Sequence, residues 1–304
     1  MNKNINIIDR ILKLKLEKNA VILAHNYQID EVQDIADFVG DSLQLSIEAS
    51  KTKADLIVFC GVHFMAETAK IISPQKKVLI PDANAGCPMA EMITANDLTD
   101  LRKQYPDAVV VCYVNSTAEV KALSDICCTS SNAVKVVNSI LAEKQIIFIP
   151  DKYLGSYVQS QTGRKMILWN GYCPTHVMIN VKSIIELKKL HLDAEVLVHP
   201  ECRPDVIEIS DKVLSTGQML SYVKSSNKKE FIIGTEIGII HRLKKENPEK
   251  IFYPALKNVI CPNMKLINVE KILWALEEEK DEITLTQEII QKARSSIEKM
   301  LALS

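Results

Sequence analysis

The sequence lacks the long apolar segments that anchor proteins in membranes or direct them to secretion. Its apolar runs, such as residues 109–111 and 146–149, are strand-sized and far shorter than the roughly 20 residues that cross a bilayer, so no transmembrane helix is predicted. Charged residues interrupt the apolar positions of the first 18 residues, which leaves no continuous core for a signal peptide. We therefore expect a cytoplasmic protein without a membrane partner.

An excess of charge of either sign is also missing. Lys and Arg together number 37 and Asp and Glu 38, which gives a net charge of −1. Such a balance provides no electrostatic attraction to a phosphate backbone, so nucleic acid is not expected as a partner. The glycine-rich signatures of nucleotide-binding loops and of serine esterases do not occur either, which disfavours both classes.

The chain has 304 residues, 47% of them hydrophobic and 25% charged, which is typical of a globular enzyme. Its eight cysteines contain no C-x-x-C pair, so neither a thioredoxin motif nor a zinc-ribbon knuckle is present. Three of them, Cys87, Cys173 and Cys261, are each followed by proline, at intervals of 86 and 88 residues. Such intervals indicate an internal repeat.

Other residues follow the same repeat. Three apolar runs end in a ring residue, and a hydroxyl residue stands 17 positions after each ring. The ring residues are His25, Tyr113 and His199. The hydroxyl residues are Ser42, Ser130 and Thr216. Because ring, hydroxyl and cysteine agree in order and spacing in three copies, we interpret the chain as one unit written three times.

Each unit alternates continuous apolar strands with helical segments, the pattern of parallel sheets covered on both faces. The predicted fold class is α/β, with three pseudo-threefold-related three-layer αβα domains. The expected boundaries are an N-terminal helix over 1–19, repeats over 20–105, 106–192 and 193–267, and a C-terminal helical tail over 268–304. Within the tail, we expect Trp274 and Leu276 to pack on the core.

The predicted site lies beyond the carboxyl ends of the strands, where parallel α/β sheets bind ligands. If the units surround a pseudo-threefold axis, the rings and hydroxyls line one polar cavity and three thiolates close one of its mouths. Three thiolates leave one position open on a zinc ion or one iron of a [4Fe-4S] cube. From spacing alone, the iron-sulfur site, the zinc site and a site without metal all stay open. The remaining cysteines are interpreted as buried thiols, and His176 is the only further histidine near the site.

These motifs together resemble the quinolinate synthase family of bacterial and archaeal NAD biosynthesis. The resemblance covers nearly the whole chain. It rests on residues 24–28, 40–42, 85–90, 113–116, 128–133, 150–151, 154–155, 169–173, 199–202, 234–236 and 261–265. It implies three αβα domains around a [4Fe-4S] cluster and the condensation of iminoaspartate with dihydroxyacetone phosphate to quinolinate, phosphate and two waters, without net redox change.

The resemblance also implies roles for individual residues. The cluster ligands would be Cys87, Cys173 and Cys261, with one iron lacking a protein ligand. Tyr27 and Glu201 look like the acid–base pair, with His199 beside them. The residues implied to hold iminoaspartate are His25, Ser42, Tyr113, Asn115, Ser130, His199, Glu201 and Thr216. A functional link to L-aspartate oxidase, the source of the labile imine, is implied as well.

Alternatives remain at this stage. Tyr27, Asn115 and Glu201 each stand two residues after a ring, and three different side chains at one equivalent position suggest separate roles. Glu201 could instead form only a surface pair with Arg203. A zinc lyase or hydrolase, and a non-catalytic iron-sulfur or anion sensor, are the rival functions. In the third unit Leu214 stands where Gly40 leads us to expect glycine, which puts the loop before Thr216 in doubt.

Overall fold

The computed structural model describes residues 2–304, with side chains from residue 7 onward, so Met1 of the predicted N-terminal helix lies outside the described residues. It contains three parallel four-stranded sheets. The first sheet consists of β1 (Ala20–His25), β2 (Phe38–Gly40), β3 (Leu56–Cys60) and β4 (Lys77–Leu79). The second consists of β5 (Val109–Tyr113), β6 (Ile126–Cys128), β7 (Ile146–Ile149) and β8 (Ile167–Leu168). The third consists of β9 (Glu195–Val198), β10 (Lys212–Val213), β11 (Glu230–Gly234) and β12 (Ile251–Pro254).

Helices separate the strands and flank the sheets. Those of the first part of the chain are α1 (Asn2–Glu17), α2 (Asp30–Ile35), α3 (Ser42–Lys51), α4 (His63–Ile72) and α5 (Ala95–Gln104). The middle part contains α6 (Ala118–Ala122), α7 (Ala133–Asn138), α8 (Lys152–Thr162) and α9 (Val181–Leu190). The last part contains α10 (Pro204–Glu208), α11 (Thr216–Ser225), α12 (Ile239–Glu246), α13 (Val269–Glu278) and α14 (Gln287–Ala302).

The three sheets share one topology. Their strand orders are β2-β1-β3-β4, β6-β5-β7-β8 and β10-β9-β11-β12, so the second strand of each unit pairs on one side of the first and the third strand pairs on the other. This confirms the predicted class of three αβα units with parallel sheets and terminal helices. The domain boundaries given above stay a prediction.

The sequence analysis missed one strand in every sheet. Strands β2, β6 and β10 are only two or three residues long, too short to produce a recognisable apolar run. They lie within the segment that was interpreted as helical between the ring and the hydroxyl residue. Each of them ends just before a hydroxyl residue, so the edge strand brings that residue to the carboxyl end of the sheet.

An aspartate precedes each of these short strands and fixes the start of the central strand beside it. Asp37 accepts a hydrogen bond from Ile22 N at 2.7 Å. Asp125 and Asp211 accept equivalent bonds of 2.8 Å from the N–H groups of residues 110 and 196. Each aspartate also pairs with a cation on the helix that precedes its sheet. The cations are Lys15 of α1, Arg102 of α5 and Lys188 of α9.

The central strands form the buried part of each unit. Strands β3 and β7 are buried along their whole length, which explains their continuous apolar sequences. The C-terminal tail packs as expected at Leu276, which is fully buried, but Trp274 is 53% exposed, so its predicted packing is wrong. Among the described residues, no helix combines the length and apolarity that a bilayer crossing requires.

Candidate active site

The carboxyl ends of the three sheets surround one cavity with about 640 Å³ of space between protein atoms. Every residue that the sequence analysis placed in the site lines this cavity, although the structure does not test the individual roles. The lining residues among them are His25, Tyr27, Ser42, Cys87, Tyr113, Asn115, Ser130, Cys173, His199, Glu201, Thr216 and Cys261.

Three cysteines differ from the other five in their exposure. Cys87, Cys173 and Cys261 follow the last strands of their sheets and are partly exposed at the cavity, whereas the other cysteines are buried. Burial raises the pKa of Cys87 to about 12 and also raises the pKa of Cys173 and Cys261. A bound metal would displace these protons, because thiolates are the ligand form. Three thiols from three repeats are therefore available to one metal centre.

Hydroxyl groups at helix starts form another part of the lining. Ser42 and Thr216 are the first residues of α3 and α11, where free N–H groups and the helix dipole favour an anion. Asp41 caps α3 by accepting from Gln44 N at 2.9 Å. Its other oxygen accepts a 3.0 Å hydrogen bond from Ser131, which links the first repeat to the second.

The glycine directly after Thr216 has a structural role. A Cβ atom on Gly217 would lie 2.6 Å from Asp41 Oδ2, so glycine is required for α11 to approach the first repeat this closely. Gly217, three residues after Leu214, thus allows a close contact between the third and first repeats.

The two ring histidines are held in the same way. His25 Nδ1 accepts from Tyr27 N at 3.2 Å, and His199 Nδ1 accepts from Glu201 N at 3.3 Å. In a neutral imidazole the other nitrogen then carries the hydrogen. Burial lowers the pKa of each ring to about 3, so both are neutral near pH 7. Each offers an Nε2–H donor, and that of His199 reaches Ser130 Oγ at 3.2 Å.

Glu201 lies inside the cavity wall. Its side chain is 3% exposed and accepts a hydrogen bond from the Tyr113 hydroxyl. Burial alone would raise the pKa of Glu201, but His176, His199 and the Tyr113 hydrogen bond lower it to about 2. The alternative of a surface pair with Arg203 is wrong, because Arg203 pairs with Asp205 at 2.8 Å.

The sequence analysis assigned no role to His176, which the structure places at the centre of the site. His176 Nδ1 lies 2.7 Å from Glu201 Oε2, and a carboxylate only accepts, so Nδ1 is the donor. In the neutral form of this ring, Nε2 accepts from the Thr235 hydroxyl at 2.8 Å, and Thr235 accepts in turn from Tyr27. One hydrogen-bonded chain thus joins Tyr27 to Glu201. The position of His176 three residues after Cys173 was the available signal.

Two further features are suited to ligand binding. The amide oxygen of Asn115 is buried and has no hydrogen-bond partner within the part of the chain that the structure describes, so a ligand in the cavity could satisfy it. Donor atoms of Cys173, His176 and Glu201 lie within 4.8 Å of one another. This trio is a second set of possible metal ligands, although His176 and Glu201 already bind each other.

Comparisons with known proteins identify the family of this chain. A family model described as Quinolinate synthetase A protein matches residues 9–302. The quinolinate synthase of Dehalococcoides mccartyi (strain CBDB1) is 54% identical over 295 residues, which are 97% of each chain. The quinolinate synthase of Methanosarcina barkeri is 52% identical over 296 residues, again 97% of each chain.

Solved structures were matched as well, among them the E-1-hydroxy-2-methyl-but-2-enyl-4-diphosphate reductase from Plasmodium falciparum. It is 11% identical, with a TM-score of 0.34, over 90% of this chain and 94% of that chain. This structural similarity is too low to support an argument about either fold or function.

Proposed function

The chain belongs to the Quinolinate synthetase A protein family and makes quinolinate for NAD biosynthesis, and we propose that it does so with a [4Fe-4S] cluster at the cysteine end of its cavity. Iminoaspartate and dihydroxyacetone phosphate would condense there to give quinolinate, phosphate and two waters. The observation that carries this proposal is that three partly exposed thiols, one from each repeat, line the same cavity as the polar groups.

The thiols fit the cluster by number and by environment. Cys87, Cys173 and Cys261 would be its ligands, and three ligands leave one corner iron without a protein donor. When bound, the cluster supplies a Lewis-acidic iron that assists the departure of a hydroxyl group. Mostly apolar side chains such as Met89 and Met264 lie beside the thiols in the cavity wall, which limits the access of water to this end.

The chain's own donors suit a dicarboxylate. Iminoaspartate carries two carboxylates, and the cavity wall contains the hydroxyls of Ser42, Ser130 and Thr216 together with the neutral imidazoles of His25 and His199. All of them can donate hydrogen bonds to carboxylate oxygens. Asn115 can donate through its amide nitrogen and accept through its unpaired oxygen, which suits an imine N–H.

Glu201 and Tyr27 are the proposed acid–base residues. Triose phosphate must lose a carbon-bound proton, and the ionised Glu201, which lines the cavity, can accept it. Burial, together with the charge of Glu201, raises the pKa of Tyr27 well above 10, so its phenol stays protonated and can donate to a departing oxygen. The chain through Thr235 and His176 lets a proton pass between the two residues without solvent, and His199 would orient Glu201 and the substrate.

The proposal is tested by metal analysis and turnover of the same anaerobic preparation. We expect iron and sulfide in a ratio near one, and quinolinate formation from iminoaspartate and dihydroxyacetone phosphate. Because the imine is labile, L-aspartate oxidase should supply it within the assay, which also tests that functional link. Zinc in place of iron, with quinolinate still formed, would overturn the cluster assignment.

A further inference from the structure

Two buried carboxylates stand at equivalent positions in the second and third repeats. Asp151 follows the last residue of β7 by two positions, and Glu236 follows the last residue of β11 by two positions. The strand ends are equivalent because Ile149 and Gly234 each pair with the residue before a ring. Both carboxylates are fully buried. The acid–base chain described above includes neither of them.

Each carboxylate binds the backbone of a cysteine that we propose as a cluster ligand. Asp151 Oδ2 accepts from Cys173 N at 2.8 Å. Its Oδ1 accepts from the N–H groups of Tyr153 and Leu154 at 2.6 and 2.9 Å, at the start of α8. Asp151 therefore links the loop of Cys173 to the first turn of α8.

Glu236 does the same in the third repeat. Its Oε1 accepts from Cys261 N at 3.3 Å, and its Oε2 accepts from Gly238 N at 2.7 Å. Lys265 Nζ lies 3.0 Å from Glu236 Oε1 and also donates to the backbone oxygen of Tyr27. Glu236 thus connects the loop of Cys261 to the backbone of the proposed acid.

The first repeat is built differently. The position equivalent to Asp151 and Glu236 is occupied by Val62, two residues after β3. Within the described residues, no carboxylate accepts from the N–H of Cys87. The nearest counterpart is a 2.8 Å hydrogen bond from Asn263 of the third repeat to the Gly86 backbone oxygen. The loop of Cys87 is therefore held from another repeat and through a neutral group.

We propose that Asp151 and Glu236 are positioning residues that hold the second and third ligand loops in the conformation that binds the cluster. This rests on the proposed cluster and extends it to residues that do not ligate iron. A carboxylate that accepts the N–H of a ligand cysteine fixes the direction of its side chain. It also withholds that N–H from the sulfur, and hydrogen bonds to the sulfurs are a main determinant of cluster properties.

The test compares carboxylate-to-amide variants at two kinds of site. Asp151→Asn and Glu236→Gln replace one of the two acceptor oxygens by an NH2 donor, so each variant can keep only part of the backbone contacts of its carboxylate. Asp211→Asn is the matched control, since Asp211 also accepts a backbone N–H in the third repeat but at the amino end of the sheet. Each protein is loaded with iron and sulfide anaerobically. The readouts are the half-time of iron loss to a chelator, the electron paramagnetic resonance spectrum of the reduced cluster, and circular dichroism for the fold.

We expect Asp151→Asn and Glu236→Gln to lose iron about 10- to 100-fold faster than wild type, the usual range for a lost outer partner of a metal ligand, with altered spectra and unchanged circular dichroism. Asp151→Glu should restore part of the retention, and Asp211→Asn should match wild type. Wild-type half-times and spectra in both amide variants would overturn the inference while the proposed function stands. A wild-type protein that takes up no iron would overturn the proposed function instead. If Asp151→Asn fails to fold, Glu236→Gln decides the question.

Discussion

The two edges of the three sheets differ in how closely the repeats resemble one another. At the amino edge, each unit has an aspartate that accepts a strand N–H and pairs with a helix cation. These aspartates stand at the same intervals as the rings, and they are Asp37, Asp125 and Asp211. At the carboxyl edge, equivalent positions carry unlike side chains. The residues two positions after the rings are Tyr27, Asn115 and Glu201. The residues two positions after the third strand of each unit are Val62, Asp151 and Glu236.

The difference follows from what each edge binds. At the amino edge, each aspartate side chain contacts a strand of its own sheet and the helix that precedes that sheet, so the same arrangement occurs three times. The carboxyl edge surrounds a single cavity, and a ligand without threefold symmetry needs a different group from each side. Uniform residues at the amino edge therefore indicate a structural task, whereas a carboxyl-edge position whose residue differs among the repeats indicates a separate role in the site. The proposed cluster would account for the uniform cysteines, because a cube can meet three equivalent ligands.

The largest effect is expected at the three cysteines, which are the same in all repeats. Cys173→Ala should abolish both the cluster absorbance and quinolinate formation, because two protein ligands would remain. Cys202→Ala is the control, since Cys202 is a fully buried thiol one residue after Glu201. Iron analysis and visible absorbance of anaerobic protein measure the outcome. A normal cluster in Cys173→Ala would contradict the ligand assignment.

Glu201→Gln tests the position two residues after each ring, where the three repeats carry different side chains. The variant keeps the size of the side chain and removes the base, so we expect the cluster to persist and the rate of quinolinate formation to fall by about 10²- to 10⁴-fold, the usual contribution of acid–base catalysis. Glu195→Gln, in the strand of the same sheet, is the control. Turnover of the loaded Glu201→Gln variant within about threefold of wild type would exclude Glu201 as the base.

Acid should destabilise the carboxyl edge through its histidines. His25 and His199 have a pKa of about 3 in the folded protein against 6.5 as the ordinary value, so the unfolded chain binds their protons first. Above about pH 6.5 the rings are neutral in both states and do not lower the free energy of unfolding. As the pH falls from about 6.5 toward 3, the free energy of unfolding decreases by up to about 1.4 kcal/mol per pH unit for each ring. Thermal unfolding between pH 7.5 and 5.5 should show a smaller slope for His199→Asn. An equal slope would contradict a neutral buried ring.

Ser130→Ala tests the hydroxyl groups with a smaller expected effect. Loss of one hydrogen bond to a charged carboxylate should cost about 1.5 kcal/mol, which corresponds to an approximately tenfold rise in KM for iminoaspartate with little change in kcat. Ser139→Ala removes a hydroxyl of the same repeat that bonds only within its own helix, to Val136 O at 2.7 Å. Equal kinetics for the two variants would remove Ser130 from the binding site.

The sequence predicted what the repeats have in common. Rings, hydroxyls and cysteines recur at fixed intervals, and the structure places all of them at one cavity. No role was predicted for His176 and Thr235, because neither residue has an equivalent in the other two repeats. The repeated aspartates were detectable by the same interval, but their edge strands of two or three residues were too short to draw attention to them. The paired cations show that α1, predicted as a separate terminal helix, precedes its sheet as α5 and α9 precede theirs.

The smallest effect is expected at the amino edge. Asp37→Asn, Asp125→Asn and Asp211→Asn should each lower the free energy of unfolding by about 1 kcal/mol, the usual net worth of one hydrogen bond. Their ion pairs add little, since the aspartate side chains are 38%, 42% and 47% exposed and exposed pairs contribute about 0–1 kcal/mol. The three losses should be similar, because the three sites are alike, and cluster content and quinolinate formation should equal those of wild type. Denaturant unfolding and iron analysis of the three variants measure this. If one of them lost its cluster as readily as we expect for Asp151→Asn, the amino edge would be coupled to the cavity and uniformity among the repeats would no longer indicate a purely structural task.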